Sequence, residues 1–193
     1  AGQPATVSGS GTSWQATYSM TNSYSDNTSV NFNIAFSDLS DNTGDNVTST
    51  TNSSAVLFDK TAPSLSQVTA VTSITGDTTP DYTFNSNEAG TITVGGACNS
   101  SKTNASAGDN LITFGTTSAL SGGTYSNCTI KVKDSANNAS NLLSVSSFTI
   151  DTTPPTLSEV TAVPTPTSDN TSNYTFSSSE AGTITYAGDC SST

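Results

Sequence analysis

Residues 81–98 read DYTFNSNEAGTITVGGAC and residues 173–190 read NYTFSSSEAGTITYAGDC, with twelve of eighteen positions identical. A second matching pair lies upstream of each block: DKTAPSLSQVTAV at residues 59–71 and DTTPPTLSEVTAV at residues 151–163, with nine of thirteen positions identical. Both pairs share an offset of 92 residues, since position 59 aligns with 151 and position 98 with 190. Two blocks of identity at one spacing indicate a tandem structural repeat.

A third, more divergent copy lies at the start of the chain. Residues 29–46 parallel residues 126–138, because each carries alternating apolar residues that lead into an aspartate, Asp38 or Asp134, an offset of 96 residues. The sequence therefore predicts three units, which we name here. They are the leading segment, residues 1–58, as the C-terminal half of a repeat; the central repeat, residues 59–150, as a complete one; and the trailing segment, residues 151–193, as the N-terminal half of a third.

Short runs of alternating apolar residues indicate the fold class. In the central repeat they are Tyr82 and Phe84; Ile92 and Val94; Ile112 and Phe114; Cys128, Ile130 and Val132; Phe148 and Ile150. A period of two predicts strands with one buried face, and clusters of Gly, Asn and Ser between the runs predict turns. We predict strands near residues 65–71, 81–86, 91–94, 111–114, 124–133 and 142–150, with a weak strand before 111. Roughly seven strands in a unit of this size are typical of an immunoglobulin-like sandwich. The chain is therefore expected to be all-β, with tandem Greek-key sandwiches.

The charge of the chain excludes several functional classes. It has 4 Lys and Arg against 15 Asp and Glu, no His, and a net charge of −11. Nucleic acid is not an expected partner, because almost nothing would neutralise phosphates. No apolar stretch approaches the roughly 20 residues of a membrane-spanning helix. Without histidine there is no Ser–His or Cys–His pair, so the chain is not expected to be an enzyme.

The motifs together resemble a known family. The run DTTPPTLSEVTAV, followed by YTF, EAGTI, GGTY, VKDSANN and a closing FTID, resembles the bacterial Ig-like repeats of giant surface adhesins. ATVSGSGTSW at residues 5–14, followed by FSDLSDN, is similar to a sister subtype. The resemblance covers essentially the whole chain, although neither terminal repeat is complete. It implies an extended tandem array that spaces a binding tip from the cell or builds an extracellular fibre.

Three cysteines, Cys98, Cys128 and Cys190, predict one disulfide. Cys98 lies just past a predicted strand, and Cys128 is in phase with core residues, so we predict a Cys98–Cys128 bond in an oxidising exterior. Reduced core cysteines are the alternative. Cys190 is the repeat equivalent of Cys98, and its expected partner would lie beyond Thr193. The leading segment has Phe32 where Cys128 would be.

Acidic residues recur at one predicted end of the sandwich, where the start of the first strand meets two loops. In the central repeat they are Asp59, Glu88 and Asp134, with Asn137 close by; in the trailing segment they are Asp151 and Glu180. Oxygen ligands that converge at a repeat junction suit Ca²⁺, which takes six to eight of them. The alternative is that these aspartates accept hydrogen bonds from backbone amides in Asx-type turns.

Two functional interpretations follow. The first is structural: a stalk or filament outside a bacterial cell, whose partners are neighbouring Ig-like repeats in the same long chain or in adjacent subunits. The two half repeats are complementary parts of one sandwich, so strand exchange between copies is one version. The other version is a window of a longer array, since the chain begins Ala1-Gly2-Gln3 without Met. The competing interpretation is a glycan- or protein-binding Ig-like module at the cell surface.

Overall fold

The structure is a computed structural model, and it describes residues 4–21 and 23–189. The described residues form strands, turns and irregular segments, with no helix. Several sheets make up the fold, which is consistent with the β-sandwich class. The alternating apolar sequence explains this, because one face of each short strand is apolar and has to be covered by another sheet.

The central repeat contains ten strands among its described residues. They are β5 (Leu65–Thr69), β6 (Ile74–Thr75), β7 (Asp81–Ser86), β8 (Gly90–Gly95), β9 (Asn104–Ala105), β10 (Gly108–Thr113), β11 (Gly123–Tyr125), β12 (Thr129–Lys133), β13 (Leu143–Ser144) and β14 (Phe148–Ile150). Three sheets result, with the orders β5-β7-β10, β9-β8-β12-β13 and β6-β14-β11. All pairs are antiparallel except β6 with β14.

The buried core lies in the central repeat and is rich in aromatic residues. Alternate residues of β7 and β12 are buried, as the period of two predicts. The ring of Phe114 packs on Tyr82, with centroids 5.7 Å apart, and on Phe148, at 6.3 Å. Tyr125 stacks on Phe148 at 5.2 Å. Large aromatic side chains supply most of the apolar area that such a small sandwich removes from water.

Two of the predicted strands are each divided in the structure. The run predicted as one strand at residues 124–133 forms β11 and β12, and that at 142–150 forms β13 and β14. The two halves of each run belong to different sheets. The apolar positions change phase at each break, because Tyr125 is followed by Cys128 and Val145 by Phe148, a spacing of three residues instead of two. This change of phase is a signal in the sequence that the prediction of single strands did not use. The parallel pair of β6 and β14 was also not predicted.

The leading and trailing segments contain fewer strands than the central repeat among their described residues. The leading segment contains β1 (Thr6–Ser10), β2 (Ser13–Thr17), β3 (Thr28–Ser29) and β4 (Leu57–Phe58), and the trailing segment contains β15 (Leu157–Thr161) and β16 (Thr175–Ser178). Strand β1 pairs with β2, β3 with β4, and β15 with β16, all antiparallel.

The repeat seen in the sequence recurs in the backbone pairing. In the trailing segment Leu157 pairs with Ser178, and in the central repeat Leu65 pairs with Ser86. Both pairs of strands then show the same register irregularity, between Glu159 and Thr161 in one and between Gln67 and Thr69 in the other. The offset of 92 residues therefore applies to each pair of residues that joins β15 to β16.

The leading segment repeats a different part of the central pattern. Its isolated bridges join Ile34 to Val47 and Ser37 to Thr43. Adding 96 to both residue numbers of the first bridge gives the Ile130–Leu143 pair of β12 and β13. Adding 96 to both residue numbers of the second bridge gives the Lys133–Ala139 bridge. The two end segments thus carry the pairings of two different portions of the central repeat.

Candidate functional site

Three acidic residues from distant parts of the sequence meet at one end of the central repeat. Asp59 directly follows β4, Glu88 lies in the turn between β7 and β8, and Asp134 directly follows β12. One carboxylate oxygen of each lies within 4.8 Å of the others. We call these three residues the acidic cluster. Each comes just after a strand or within a strand-to-strand turn, which is why the fold gathers them at one end.

A tight turn holds Asp134 in place. Its Oδ1 accepts a hydrogen bond from the Asn138 backbone N–H at 2.8 Å, and its Oδ2 accepts one from Asn138 Nδ2 at 2.9 Å. The same Nδ2 donates to the backbone oxygen of Asp59 at 3.1 Å. Asn138 therefore links two members of the acidic cluster. Asp134 is only 9% exposed, so these bonds compensate for water that the carboxylate has lost.

Asn137, which was predicted as a metal ligand, instead stabilises the turn that follows Asp134. Its φ of 73° lies in the left-handed region, which asparagine tolerates better than most residues. Its backbone N–H donates to the Asp134 backbone oxygen at 3.2 Å, and its side chain is exposed. Asn137 was predicted as a ligand, whereas the adjacent Asn138 makes the contacts with Asp134 and Asp59. The turn conformation decides which of two adjacent asparagines faces the aspartate.

The leading segment contains the same turn. Asp38 Oδ1 accepts from the Asn42 backbone N–H at 2.9 Å, and Oδ2 accepts from Asn42 Nδ2 at 2.9 Å. Asp41, with a φ of 63°, takes the place of Asn137. Hydrogen bonds from Asn42, first from its side chain and then from its backbone, lower the pKa of Asp38. The Asx-turn interpretation thus describes both aspartates, and it leaves further lone pairs on each carboxylate.

The surroundings of Glu88 affect its protonation. Partial burial raises the pKa of Glu88, and the negative charges of Asp59, Asp134 and Asp26 raise it further. Like charges at this spacing disfavour the ionised form. Added positive charge at the acidic cluster would therefore lower the free energy of the folded chain.

Asp26 is a fourth acidic residue near the acidic cluster, and it was not predicted from the sequence. Its Oδ1 accepts from the Lys60 backbone N–H at 2.7 Å, and its Oδ2 accepts from the Thr61 hydroxyl. These two hydrogen bonds are the main reasons that the pKa of Asp26 is lowered. The bonds attach the leading segment to the chain that enters the central repeat. No spacing motif marks Asp26, so only the fold identifies it.

The donor set suits a hard cation such as calcium. Oxygens that share one Ca²⁺ lie 2.3–2.6 Å from it, so two of them are at most about 5 Å apart. The spacing of the acidic cluster satisfies this limit. Three carboxylates alone supply fewer than the six to eight ligands that Ca²⁺ takes, so backbone oxygens or water would have to complete the shell.

Asp151 and Glu180 repeat only part of this geometry. The Thr153 N–H donates to Asp151 Oδ1 at 3.0 Å, as the Thr61 N–H donates to Asp59 Oδ1 at 3.1 Å. The Glu180 N–H donates to Ser178 Oγ at 3.3 Å, and the Glu88 N–H to Ser86 Oγ at 3.4 Å. Within residues 4–21 and 23–189, neither residue joins a group of three acidic side chains at ligand spacing.

The structure places Cys98 and Cys128 at disulfide-bonding distance, with Cα atoms 5.3 Å apart. Both side chains are buried, Cys98 at the end of the sheet that contains β8 and Cys128 just before β12. Cys190, the third predicted participant in cysteine chemistry, lies outside the described residues.

Comparison of the chain with protein-family models and with curated proteins gave no match. A search of the described residues for a helix long and apolar enough to cross a membrane found none.

Proposed function

We propose that the chain is a structural, non-enzymatic protein of tandem immunoglobulin-like Greek-key sandwiches, forming a stalk or filament outside a bacterial cell. The observation that carries the proposal is the recurrence of backbone pairing in successive units, at offsets of 92 and 96 residues. A chain built from stacked copies of one sandwich lengthens with each copy and presents no new chemistry, which is the property of a spacer.

The arrangement of the sheets supports the immunoglobulin-like assignment. One sheet has the order β5-β7-β10 and another the order β9-β8-β12-β13. Among the seven strands of these two sheets, the first, second and fifth lie in one sheet and the third, fourth, sixth and seventh in the other, while β6, β11 and β14 form the third sheet. Immunoglobulin-like folds likewise place the first, second and fifth strands in one layer and the third, sixth and seventh in the other. The chain therefore crosses between layers several times, which is what a Greek-key connection requires.

The chemistry of the chain supports an extracellular, non-catalytic role. A disulfide such as Cys98–Cys128 persists in oxidising compartments. The full sequence holds no histidine and only four basic residues. The net charge of −11 favours solubility and repels nucleic acid and anionic lipid surfaces. Among the remaining partner classes, which include glycans and proteins, the recurrence of strand pairing favours neighbouring repeats.

We further propose that calcium at the acidic cluster stiffens the junction between the leading segment and the central repeat. Asp59 lies at that junction, and Asp26, from the leading segment, contributes to the same electrostatic environment. A cation shared by Asp59, Glu88 and Asp134 would hold the junction to the turns at the end of the central repeat. Stiff junctions keep a tandem array extended.

The experiment that tests the proposed function is immunogold electron microscopy of intact cells of the source, with antibodies raised against this chain. We expect label along fibres or stalks outside the cell, with pre-immune serum as the control. Label confined to the cell interior would overturn the proposal. The denaturing mass of the labelled polypeptide then separates a discrete subunit, near 19.5 kDa, from a much longer array.

A further inference from the structure

Two of the chain's four lysines lie side by side on the outer face of one sheet of the central repeat. Strand β12 buries Ile130 and Val132 in the core. The alternation of side chains along a strand therefore directs Lys131 and Lys133 away from the core, and both are exposed. Residues two apart on one strand are separated by roughly 7 Å. The central repeat thus presents two adjacent positive charges on one face.

The fold uses the other two lysines and leaves this pair without a partner. The Nζ atoms of Lys60 and Lys102 each donate to a backbone oxygen, at 2.9 Å and 2.7 Å. Within residues 4–21 and 23–189, the side chains of Lys131 and Lys133 form neither an ion pair nor a hydrogen bond. The chain has 15 Asp and Glu, yet these two ammonium groups meet no carboxylate. They are therefore available to a ligand.

Polar residues of the neighbouring strands share this face. Lys131 pairs with Thr93 of β8, and Lys133 pairs with Thr91. On its other side Thr91 pairs with Asn104 of β9. Residues directly opposite one another on adjacent strands point to the same side of a sheet, so ammonium, hydroxyl and amide groups form one continuous polar surface.

An open groove of about 310 Å³ lies on this surface, and we call it the lysine groove. Its lining includes the two lysines, the two threonines and the turn that carries Asp134 and Asn137. A second groove, of about 350 Å³, shares Lys133 and Asp134 with it and extends over Asn104. These volumes are at the lower end of the roughly 300–1,000 Å³ of small-molecule sites. The lysine groove is therefore large enough for a sugar-sized group.

The chemistry of the lysine groove indicates the class of its ligand. Among the described residues that line it there is no aromatic side chain, and Val132, its one large apolar member, is buried. Protein partners anchor on aromatic and apolar side chains, and nucleic acid requires more phosphate contacts than two lysines supply. Hydroxyl, amide and ammonium groups can instead form hydrogen bonds with the hydroxyl groups of a sugar. The two unpartnered ammonium groups add charge-assisted bonds to an anionic group on that sugar.

The leading segment shows that the strand itself does not require these lysines. At the offset of 96 residues, the equivalents of Lys131 and Lys133 are Ala35 and Ser37. The turn that follows is nevertheless the same, since Asp38 accepts the same two hydrogen bonds as its equivalent in the central repeat. The lysine pair therefore distinguishes the central repeat from the leading segment without serving the fold that the two share.

We propose that the lysine groove binds a carboxylated sugar residue, a uronic acid, of an extracellular polysaccharide. The carboxylate of the sugar lies at Lys131 and Lys133, and the hydroxyl groups of the sugar bond to Thr91 and Thr93. The carboxylate of Asp134 repels the anionic group and so favours its placement at the Lys131 end of the groove. This binding goes beyond the proposed function and does not depend on it, because a stalk needs no ligand.

A hexasaccharide of galacturonic acid is the probe, and its methyl ester, which has the same sugar rings without the charges, is the control. The isotope-labelled full chain is titrated with each by nuclear magnetic resonance in calcium-free buffer. We expect the amide signals of residues 91–93 and 131–133 to shift, with binding at least about tenfold tighter than that of the methyl ester. Equal binding of the two, or no shift at about 5 mM probe, enough to reveal a Kd of about 1 mM, would overturn the proposal. Tighter binding of hexaglutamate or of a sulfated galactose hexasaccharide would overturn the assignment to a carboxylated sugar.

A matched pair of variants separates the lysine groove from the net charge of the chain. Lys131→Gln and Leu111→Glu each make the net charge more negative by one, but Leu111 is an exposed residue of β10, in a different sheet. We expect Lys131→Gln to weaken binding of the hexasaccharide at least about tenfold, and Leu111→Glu to leave it within about twofold. Lys131→Arg, which keeps the charge, should retain binding. Since Lys131 and Leu111 are exposed, all three variants should keep the melting temperature of the wild type, and equal losses of binding in Lys131→Gln and Leu111→Glu would overturn the proposal.

Discussion

Removal of the Cys98–Cys128 bond should destabilise the central repeat more than any single surface change. The bond closes a loop with a sequence separation of 30 residues. In the chain-entropy relation, opening such a loop gives the unfolded chain about 12 cal/mol/K of additional entropy, or about 3.6 kcal/mol at 25 °C. For a domain of this size, each kcal/mol corresponds to about 4–8 °C, so the melting temperature should fall by about 15–30 °C.

The cleanest perturbation is reduction, since it changes no side chain. Both sulfurs are buried, so a reductant reaches them only after unfolding. The chain, in a Cys190→Ser background, is unfolded in urea with a phosphine reductant and refolded in its presence, and urea unfolding is followed by far-UV circular dichroism. The oxidised sample, treated identically without reductant, gives the reference free energy of unfolding. The double variant Cys98→Ala and Cys128→Ala is the control, because reductant should not affect it.

A loss of free energy well below the calculated value would refute the reasoning. If oxidised and reduced samples differ by less than about 1 kcal/mol, the loop is already restricted in the unfolded chain and the entropy argument does not apply. If reductant also destabilises the double variant, the effect has another origin.

Three further predictions concern the acidic cluster and the packing beside it. Because the pKa of Glu88 is raised in the folded state, protonated Glu88 contributes stability at low pH that is lost as the pH rises through the folded pKa. Glu88→Gln should therefore raise the melting temperature at neutral pH without calcium. It should also abolish the increase in the free energy of unfolding that calcium gives the wild type, about 2.7 kcal/mol at a hundred times Kd. An increase unchanged by Glu88→Gln would exclude this site. Asn138→Ala should cost about 1–3 kcal/mol in urea unfolding, because it removes the side-chain bonds to Asp134 and Asp59, whereas Asn137→Gly should be neutral or stabilising at its φ of 73°. Gly90→Ala should cost about 1–3 kcal/mol through overpacking against Val132, and Gly182→Ala, in open space, should leave the melting temperature of the single chain unchanged; equal costs for the two glycines would contradict the packing argument.

Alternating apolar residues between turns were sufficient to predict the positions of two central strands. The bounds predicted for β7, residues 81–86, are those of the structure, and β8 differs from its prediction by one residue at each end. In both, alternating apolar residues end in turns that contain Gly or Asn. The sheet changes between β11 and β12, and between β13 and β14, coincide with a one-residue change in the phase of the apolar positions, which the prediction of single strands overlooked.

Part of the acidic cluster could be predicted from the positions of its residues relative to the strands. Asp59, Glu88 and Asp134 all lie at strand ends or turns, and strand order alone places those turns at one end of a sandwich. Asp26 and Asn138 were missed because their roles depend on tertiary contacts, to Lys60 in one case and to Asp59 in the other. Residue type and spacing carry no signal for such contacts.

The same short sequence behaves differently in two places, and the difference shows what completes this fold. Residues 91–93 and residues 183–185 both read Thr-Ile-Thr, yet the first triplet lies within β8 and the second forms no strand. Their local propensities are identical, so the cause lies in their neighbours: β8 pairs with β12 on one side and with β9 on the other, while the second triplet has neither among the described residues. Strand formation here requires a long-range partner, as is general for sheets. A partner that supplies the equivalent of β12 should therefore convert residues 183–187 into a strand. Amide hydrogen exchange at these residues should then slow in the presence of a peptide that carries β12, and unchanged exchange with the peptide bound would contradict this explanation.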